Sequence, residues 1–280
     1  MTFTFKDISS KAMGVKIIGM SGAQRAPCEP EIVSVPGRYE PLILEKHERQ
    51  TTEITAELLV ENPDNVRQIF SWLFGKGKLI FSDEPDKYYN VISDDIISLQ
   101  RIDDRIQSFE MKFVCEPFAY SVSNPLVSTP MGMNDDTLTG TMTITNNGTI
   151  ESEPLLYFSV AGKLRVTVNG SSEPLIITTP GEYTSEYIAA ESGGTSKYLY
   201  KYNQQNIYVD VAAKIAYINS GSSKVVVVNQ TSGRYPTFKP GENTILFELV
   251  PEEWEYNGKT YISDNQKLQY FGYRKNERWH

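Results

Sequence analysis

Histidine and cysteine are nearly absent from this chain. The only histidines are His47 and His280, the second at the C-terminus, and the only cysteines are Cys28 and Cys115. So few histidines exclude a His-built zinc centre and argue against a nucleophile held beside a histidine base. His47 sits in the charged run EKHERQ and reads as a solvated surface residue. Two cysteines do not make a disulfide framework. Both are expected as buried free thiols rather than as a bridge, because a free thiol behaves as a small apolar group. Long apolar runs are missing too. No segment approaches the roughly 20 residues that span a bilayer, and the N-terminal MTFTFKDISSK has no apolar stretch of signal-peptide length. The expectation is a protein made in a cytoplasm, without membrane insertion, for which the sequons at Asn147, Asn169 and Asn229 carry no meaning.

Basic clusters are likewise absent. The net charge is −8 and the pI about 5.0. Divided at Pro125, the chain holds 14 basic and 19 acidic residues before and 13 and 16 after, so the two parts carry −5 and −3. Acidity is spread over both, and no patch of Lys and Arg offers the phosphate contacts that direct nucleic-acid binding needs. The glycine-rich segment ESGGTSK (Glu191 to Lys197) lacks the strand-to-helix setting of a phosphate loop.

What is present favours β-structure in two domains. At 280 residues the chain is long enough for two cores, and its 17 Tyr and 12 Phe suit a pleated, half-buried surface. The first part has one helical pattern, over 63–74. In ENPDNVRQIFSWLFGKG, Asn62 is a candidate cap and Pro63 suits the first helical position. Val66, Ile69, Phe70 and Leu73 make one apolar stripe, and Gly75 and Gly77 end it. Around it, TTEITAELLVE reads as a strand, and RIQSFEMKFVCEP alternates Phe109, Met111, Phe113 and Cys115 against Glu110 and Lys112. The stretch from Asn124 to Gly140 is rich in turn formers and reads as a linker. Beyond it come short strands (TMTITN, PLLYFSV, KLRVTVN, PLIITT, NIYVDV, KIAYIN, KVVVVN, NTILFEL). Asn147-Gly148, Asn169-Gly170 and Asn257-Gly258 are hairpin signals among them. That pattern argues for a β-sandwich. The expected layout is a mainly β protein: residues 1–125 with the helix, a linker at 126–140, and a sandwich over 141–280; whether the C-terminal segment KLQYFGYRKNERWH stays in that sandwich or returns to the first domain is left open by the sequence.

Three carboxylates crowd Pro85 in KLIFSDEPDKYYNV, Lys78 to Val91. A calcium loop wants oxygen ligands at alternate positions and a glycine at the bend. Asp83, Glu84 and Asp86 lack that spacing, whereas Ser, Asp and Pro are turn formers, so a hairpin corner is expected. The doublets Asp94-Asp95, Asp103-Asp104 and Asp135-Asp136 read as solvated turn acids rather than a glycosidase couple. No catalytic residue, metal or cofactor is expected. Tyr198, Tyr200 and Tyr202 alternate in KYLYKYN. The plain reading is a half-buried aromatic strand; the sharper one is a row that stacks on a sugar or a partner protein.

Four segments carry a resemblance: VPGRYEP (Val35 to Pro41), the helix followed by GKLIFSDEPDKYYNV, SFEMKFVCEPFAYS (Ser108 to Ser121), and NQTSGRYPTFKPGENTIL (Asn229 to Leu246). In that order they resemble the distal tail proteins (Dit) of siphophages and prophages of Gram-positive bacteria, over nearly the whole chain. The resemblance implies a β-sandwich-like N-terminal domain with one helix, which assembles into a homo-hexameric ring. A galectin-like β-sandwich follows it. It implies a virion structural protein, not an enzyme, at the tail tip: a baseplate hub joining the major tail tube protein to the tail-associated fibre or lysin and to receptor-binding proteins. The implied intersubunit or tube contact falls on Pro36, Gly37, Arg38 and Tyr39, although Tyr39-Glu40 replaces the Asp-Gly frequent in relatives. The sugar-binding constellation of a galectin is not carried over, since the second half has only Trp254, Trp279 and His280 to offer it. The alternative function is a carbohydrate-binding host-adhesion module using Tyr198, Tyr200 and Tyr202.

Overall fold

The computed structural model describes residues 1–21, 26–27, 30–44, 49–94, 99–101, 107–188, 195–256 and 258–279. Cys28, His47, Asp95, Asp103, Asp104, Asn257, His280 and the start of ESGGTSK lie outside the described residues, so the readings placed on them go no further. The chain forms two compact units: Met1–Ser123 with the chain's end from Arg278, and Asn124–Glu277.

The first unit is built on a nine-stranded antiparallel sheet. Its spine is the pairing of Gln107–Ser121 with Thr52–Val60, in register from Gln107↔Val60 to Cys115↔Thr52. The alternation read from the sequence is present. Phe109, Met111, Phe113 and Cys115 are buried, while Glu110 is exposed and Lys112 pairs with Glu53 across the strands at 2.7 Å. The sheet rolls up. Phe5, on the Phe3–Phe5 strand, lies 6.0 Å from Phe113 between ring centres. The Ile17 N–H, from the opposite edge strand Val15–Met20, donates to the Met1 carbonyl at 3.1 Å. Two facing layers result, sandwich-like in section, with aromatic side chains between them.

Asn62 Oδ1 accepts the Asp64 N–H at 3.1 Å and starts a 3₁₀ turn, Pro63–Asn65, that leads into the helix Val66–Leu73. A short helix is held by its packing rather than by propensity. Ile69 and Leu73 are fully buried, with Val66 and Phe70 at the margin of the core. Trp72, off that stripe, is also buried: its ring stacks on Phe3 (5.5 Å, 11°) and its Nε1 donates to the Phe5 carbonyl at 2.8 Å. The helix stops at Phe74, which is extended, and Gly75 opens the next strand at φ 90°. Gly77 does not end the helix. It lies inside strand Gly75–Phe81, where a Cβ would meet the Phe5 ring at 2.6 Å.

The SDEPD corner joins Gly75–Phe81 to Lys87–Ser93 as a hairpin. Its carboxylate Glu84 accepts from Lys87 Nζ at 2.8 Å and from the Tyr89 hydroxyl at 3.2 Å. Burial, then the Glu84 charge, pushes the Tyr89 phenol up to about 12. Arg278–Trp279 adds a last pairing to the spine, Ala119↔Trp279.

In the second unit a six-stranded and a five-stranded antiparallel sheet face each other across one core, a β-sandwich. The five-stranded sheet brings Ile144, Val166, Ile177 and Phe247 to that core; the six-stranded sheet brings Phe158, Ile207 and Phe271. Much of 126–140 is not a linker. Val127–Asn134 is a strand paired with Lys267–Arg274, and Met133 is buried by it. Turn formers there serve a tight connection: Asn134 Oδ1 accepts the N–H groups of Asp136 and Thr137 at 2.9 and 3.0 Å, so Asp135-Asp136 sits in a turn. Asn169 and Gly170 both adopt positive φ, as a hairpin turn demands. Asn147-Gly148 does not, because Thr139–Asn146 pairs with the distant strand Gly241–Leu249. In the NQTSGRYPTFKPGENTIL run, Asn243 is fully buried and locks the turn before that strand. Its amide bonds the N–H and carbonyl of Lys239 at 2.9 and 2.7 Å.

Candidate functional site

Two surfaces hold the residues singled out from the sequence. The first is a hairpin arm in the first unit. Glu31–Val33 and Leu42–Leu44 form a separate two-stranded sheet with Ile32 opposite Ile43. The segments EIV and LIL flank VPGRYEP and supply its strands. Val35 carbonyl accepts the Arg38 N–H at 3.1 Å, with Pro36 and Gly37 (φ 85°) between them, which is a type II turn. Pro36, Gly37, Arg38 and Tyr39 are all exposed, and Tyr39 projects completely. Ile32 and Ile43 are 64 and 63% exposed. The sequence analysis singled out only the tip, not these two isoleucines.

The second surface is a four-stranded sheet in the second unit: Gly181–Ile188, Thr195–Tyr202, Lys259–Asp264 and Glu253–Tyr256. Tyr198, Tyr200 and Tyr202 share a face by strand alternation. Tyr183, Trp254, Tyr256 and Tyr261 join them there. Tyr183 stacks on Tyr256 (4.5 Å, 8°), and Tyr200 packs against Tyr183 (4.9 Å) and Trp254 (4.8 Å). Lys259 Nζ lies 4.2 Å from the Tyr198 ring centre. Tyr202 is buried, and its hydroxyl donates to Glu252 Oε2 at 3.3 Å, while Lys163 of the sandwich pairs with the other Glu252 oxygen. Burial and the Glu252 charge hold the Tyr202 phenol well above its usual range. The signal for three of the four added rings was Trp254-Glu-Tyr256 before an Asn-Gly dipeptide and Tyr261 after it.

No group of His, Cys, Asp and Glu suited to a metal occurs among the described residues. Cys115 is a buried thiol whose pKa burial pushes up to about 12, the reverse of an activated nucleophile.

The family described as phage tail protein RIFT-related domain matches residues 51–115, which run from the first spine strand through the helix to Cys115. Among solved structures, the chain is similar to the Dit protein (gp 19.1) of SPP1, described as a paradigm of the hub adsorption apparatus in phages infecting Gram-positive bacteria. Sequence identity is 13%, the match covers 89% of this chain and 98% of that one, and the TM-score is 0.57. At that identity the likeness is one of fold. No curated protein matches the chain. The matched domain and the shared fold both bear out the resemblance to distal tail proteins and support a structural role in a phage tail.

Proposed function

We propose that the protein is the ring-forming hub of a siphophage tail tip. Six copies join the major tail tube protein to the tail-associated fibre or lysin and to receptor-binding proteins. The protein is made in the host cytoplasm and carried in the virion tail, and it performs no catalysis of its own. The observation that carries this reading is the arm. A two-stranded hairpin is marginal alone in water, and this one exposes Ile32, Ile43 and Tyr39 at its face and tip. Exposed apolar groups of this kind mark interaction surfaces. An arm seated on the next copy is a head-to-tail contact, the kind that closes rings. A net charge of −8 suits a channel through which DNA passes without adhering, since phosphates and carboxylates repel.

Native mass with negative-stain imaging tests the reading. Six subunits of 31.7 kDa come to about 190 kDa, in a ring with a central hole. A species of 31.7 kDa at assembly concentrations overturns it.

The second reading, a carbohydrate-binding adhesion module, is less favoured on the row of Tyr198, Tyr200 and Tyr202. A sugar needs a free ring face, and Tyr200 and Tyr202 pack against each other and Trp254 while Tyr198 packs against Tyr261 and Lys259. Their exposed rim, Tyr183 and Tyr256, instead suits a partner protein of the baseplate. Glycan binding lost on Tyr200→Ala with ring mass unchanged restores the second reading.

A further inference from the structure

A different surface has the chemistry the tyrosine row lacks. On the face of the six-stranded sheet turned away from the sandwich core is a recess of about 490 Å³, within the size range of small-ligand sites. It is lined by Tyr157, Ser159, Gln204, Asn206, Gln269 and Tyr270, none of them charged, in a chain that is 22% charged overall. We propose that this recess binds a neutral saccharide, independently of whether the protein forms a ring.

Two backbone features build the site. In the pairing of Leu155–Ala161 with Lys267–Arg274, Tyr270 sits opposite Ser159 and Leu268 opposite Val160, so Gln269 is an extra, unpaired residue. Such a bulge re-aims side chains. Here both Gln269 and Tyr270 reach the outer face, while Leu268 and Phe271 stay in the core. Gly272 stands opposite Tyr157, and a Cβ there would lie 3.1 Å from the Tyr157 ring, so the glycine leaves that ring its place.

The polar groups are held in position by one another. Gln204 Nε2 donates to Ser159 Oγ at 2.9 Å and to Gln269 Oε1 at 2.6 Å, and the Tyr157 hydroxyl donates to Asn206 Oδ1 at 3.0 Å. These bonds fix the amide planes and leave the Asn206 and Gln269 amino groups without partners among the described residues. Preorganised donors lose little entropy on binding. Tyr270, 39% exposed, takes part in no ring pair among the described residues, so no other ring covers the part of it that meets water. Amides that donate and accept beside a partly exposed aromatic ring match the hydroxyls and the C–H groups of a sugar. Phosphate or carboxylate ligands would want Arg or Lys, and an amine or cation would want carboxylates. An apolar peptide side chain would leave these amides unpaired.

The experiment is saturation-transfer NMR on the full-length protein. The probes are the β-linked trisaccharides of glucose, galactose and N-acetylglucosamine, with a trisaccharide of glucuronic acid as the charged comparison. Native mass is measured on the same samples. The expected result is transfer to at least one neutral probe, weakened tenfold or more by Asn206→Ala and by Tyr270→Ala and unchanged by Tyr200→Ala. All variants should keep the wild-type circular dichroism spectrum. No transfer to any neutral probe overturns the proposal, as does transfer that both variants retain or a preference for the glucuronate. A monomer that binds a neutral sugar defeats the ring reading and leaves this site standing.

Discussion

Ile32 and Ile43 stand directly opposite each other on a two-stranded hairpin, and each leaves nearly two thirds of its surface in water. A cross-strand apolar pair on a surface this exposed contributes little to its own unit. Its energy is available to another chain.

The first prediction follows from that. Ile43→Asp places a charge on the arm where nothing is buried, so thermal unfolding of the subunit should change by no more than about 0.5 kcal/mol. The native mass should fall from about 190 kDa toward 31.7 kDa. A destabilised subunit of unchanged mass would mean that the arm packs on its own unit.

Trp72 is the fastener between helix and sheet. Trp72→Phe keeps a ring against Phe3 but leaves the Phe5 carbonyl without its indole donor. An unpaired buried acceptor costs about 1–3 kcal/mol. Urea unfolding followed by circular dichroism should show a loss in that range.

Gly77→Ala tests a contact in the same region. The added methyl would meet Phe5 ring carbons at 2.6 and 2.9 Å, in a site with Lys6 on its other side. Overpacking of this kind costs about 1–3 kcal/mol. Gly170→Ala is no matched control, because its φ of 69° strains any side chain. Ser128→Ala, on an exposed strand position, is the better comparison and should be neutral.

Alkali should unfold the protein. The Cys115 thiol and the Tyr89 phenol are both held near 12, above their ordinary 9.0 and 10.0. The unfolded chain therefore loses these protons first. Their contribution is fully present below about pH 9 and is lost as pH rises through 12, because folding must then keep a proton the solvent removes. Unfolding midpoints measured from pH 7 to 11.5 should be flat to about pH 9 and then fall. In the native state at pH 8, Cys115 should also resist alkylation.

Much of this was legible as period and punctuation. The alternation from Phe109 to Cys115 needs only a sheet with one dry side to become a strand, and the stripe of Val66, Ile69, Phe70 and Leu73 needs only a core to lean on. The segment 126–140 was misread because Pro130, Gly132 and its turn-forming acids mask a strand. Val127–Asn134 has few apolar residues, and only its partner Lys267–Arg274, far away in sequence, makes it one. Asn147-Gly148 misled for the same reason: a dipeptide signals a local turn, while the strand before it pairs 95 or more residues away at Gly241–Asn243.

The amino-acid sequence by itself determined the β-rich class, the helix at Val66–Leu73 and the corner at SDEPD. These depend on residue type and on spacing of a few positions, which a linear text displays. Only the tertiary structure decided which rings cover one another and which remain open. Tyr200 is closed by Tyr183 and Trp254 from other strands, whereas Tyr270 is turned outward by a one-residue bulge against Ser159 and Val160. Both outcomes depend on register between strands distant in sequence, and register is set by packing of the whole sheet rather than by any local preference.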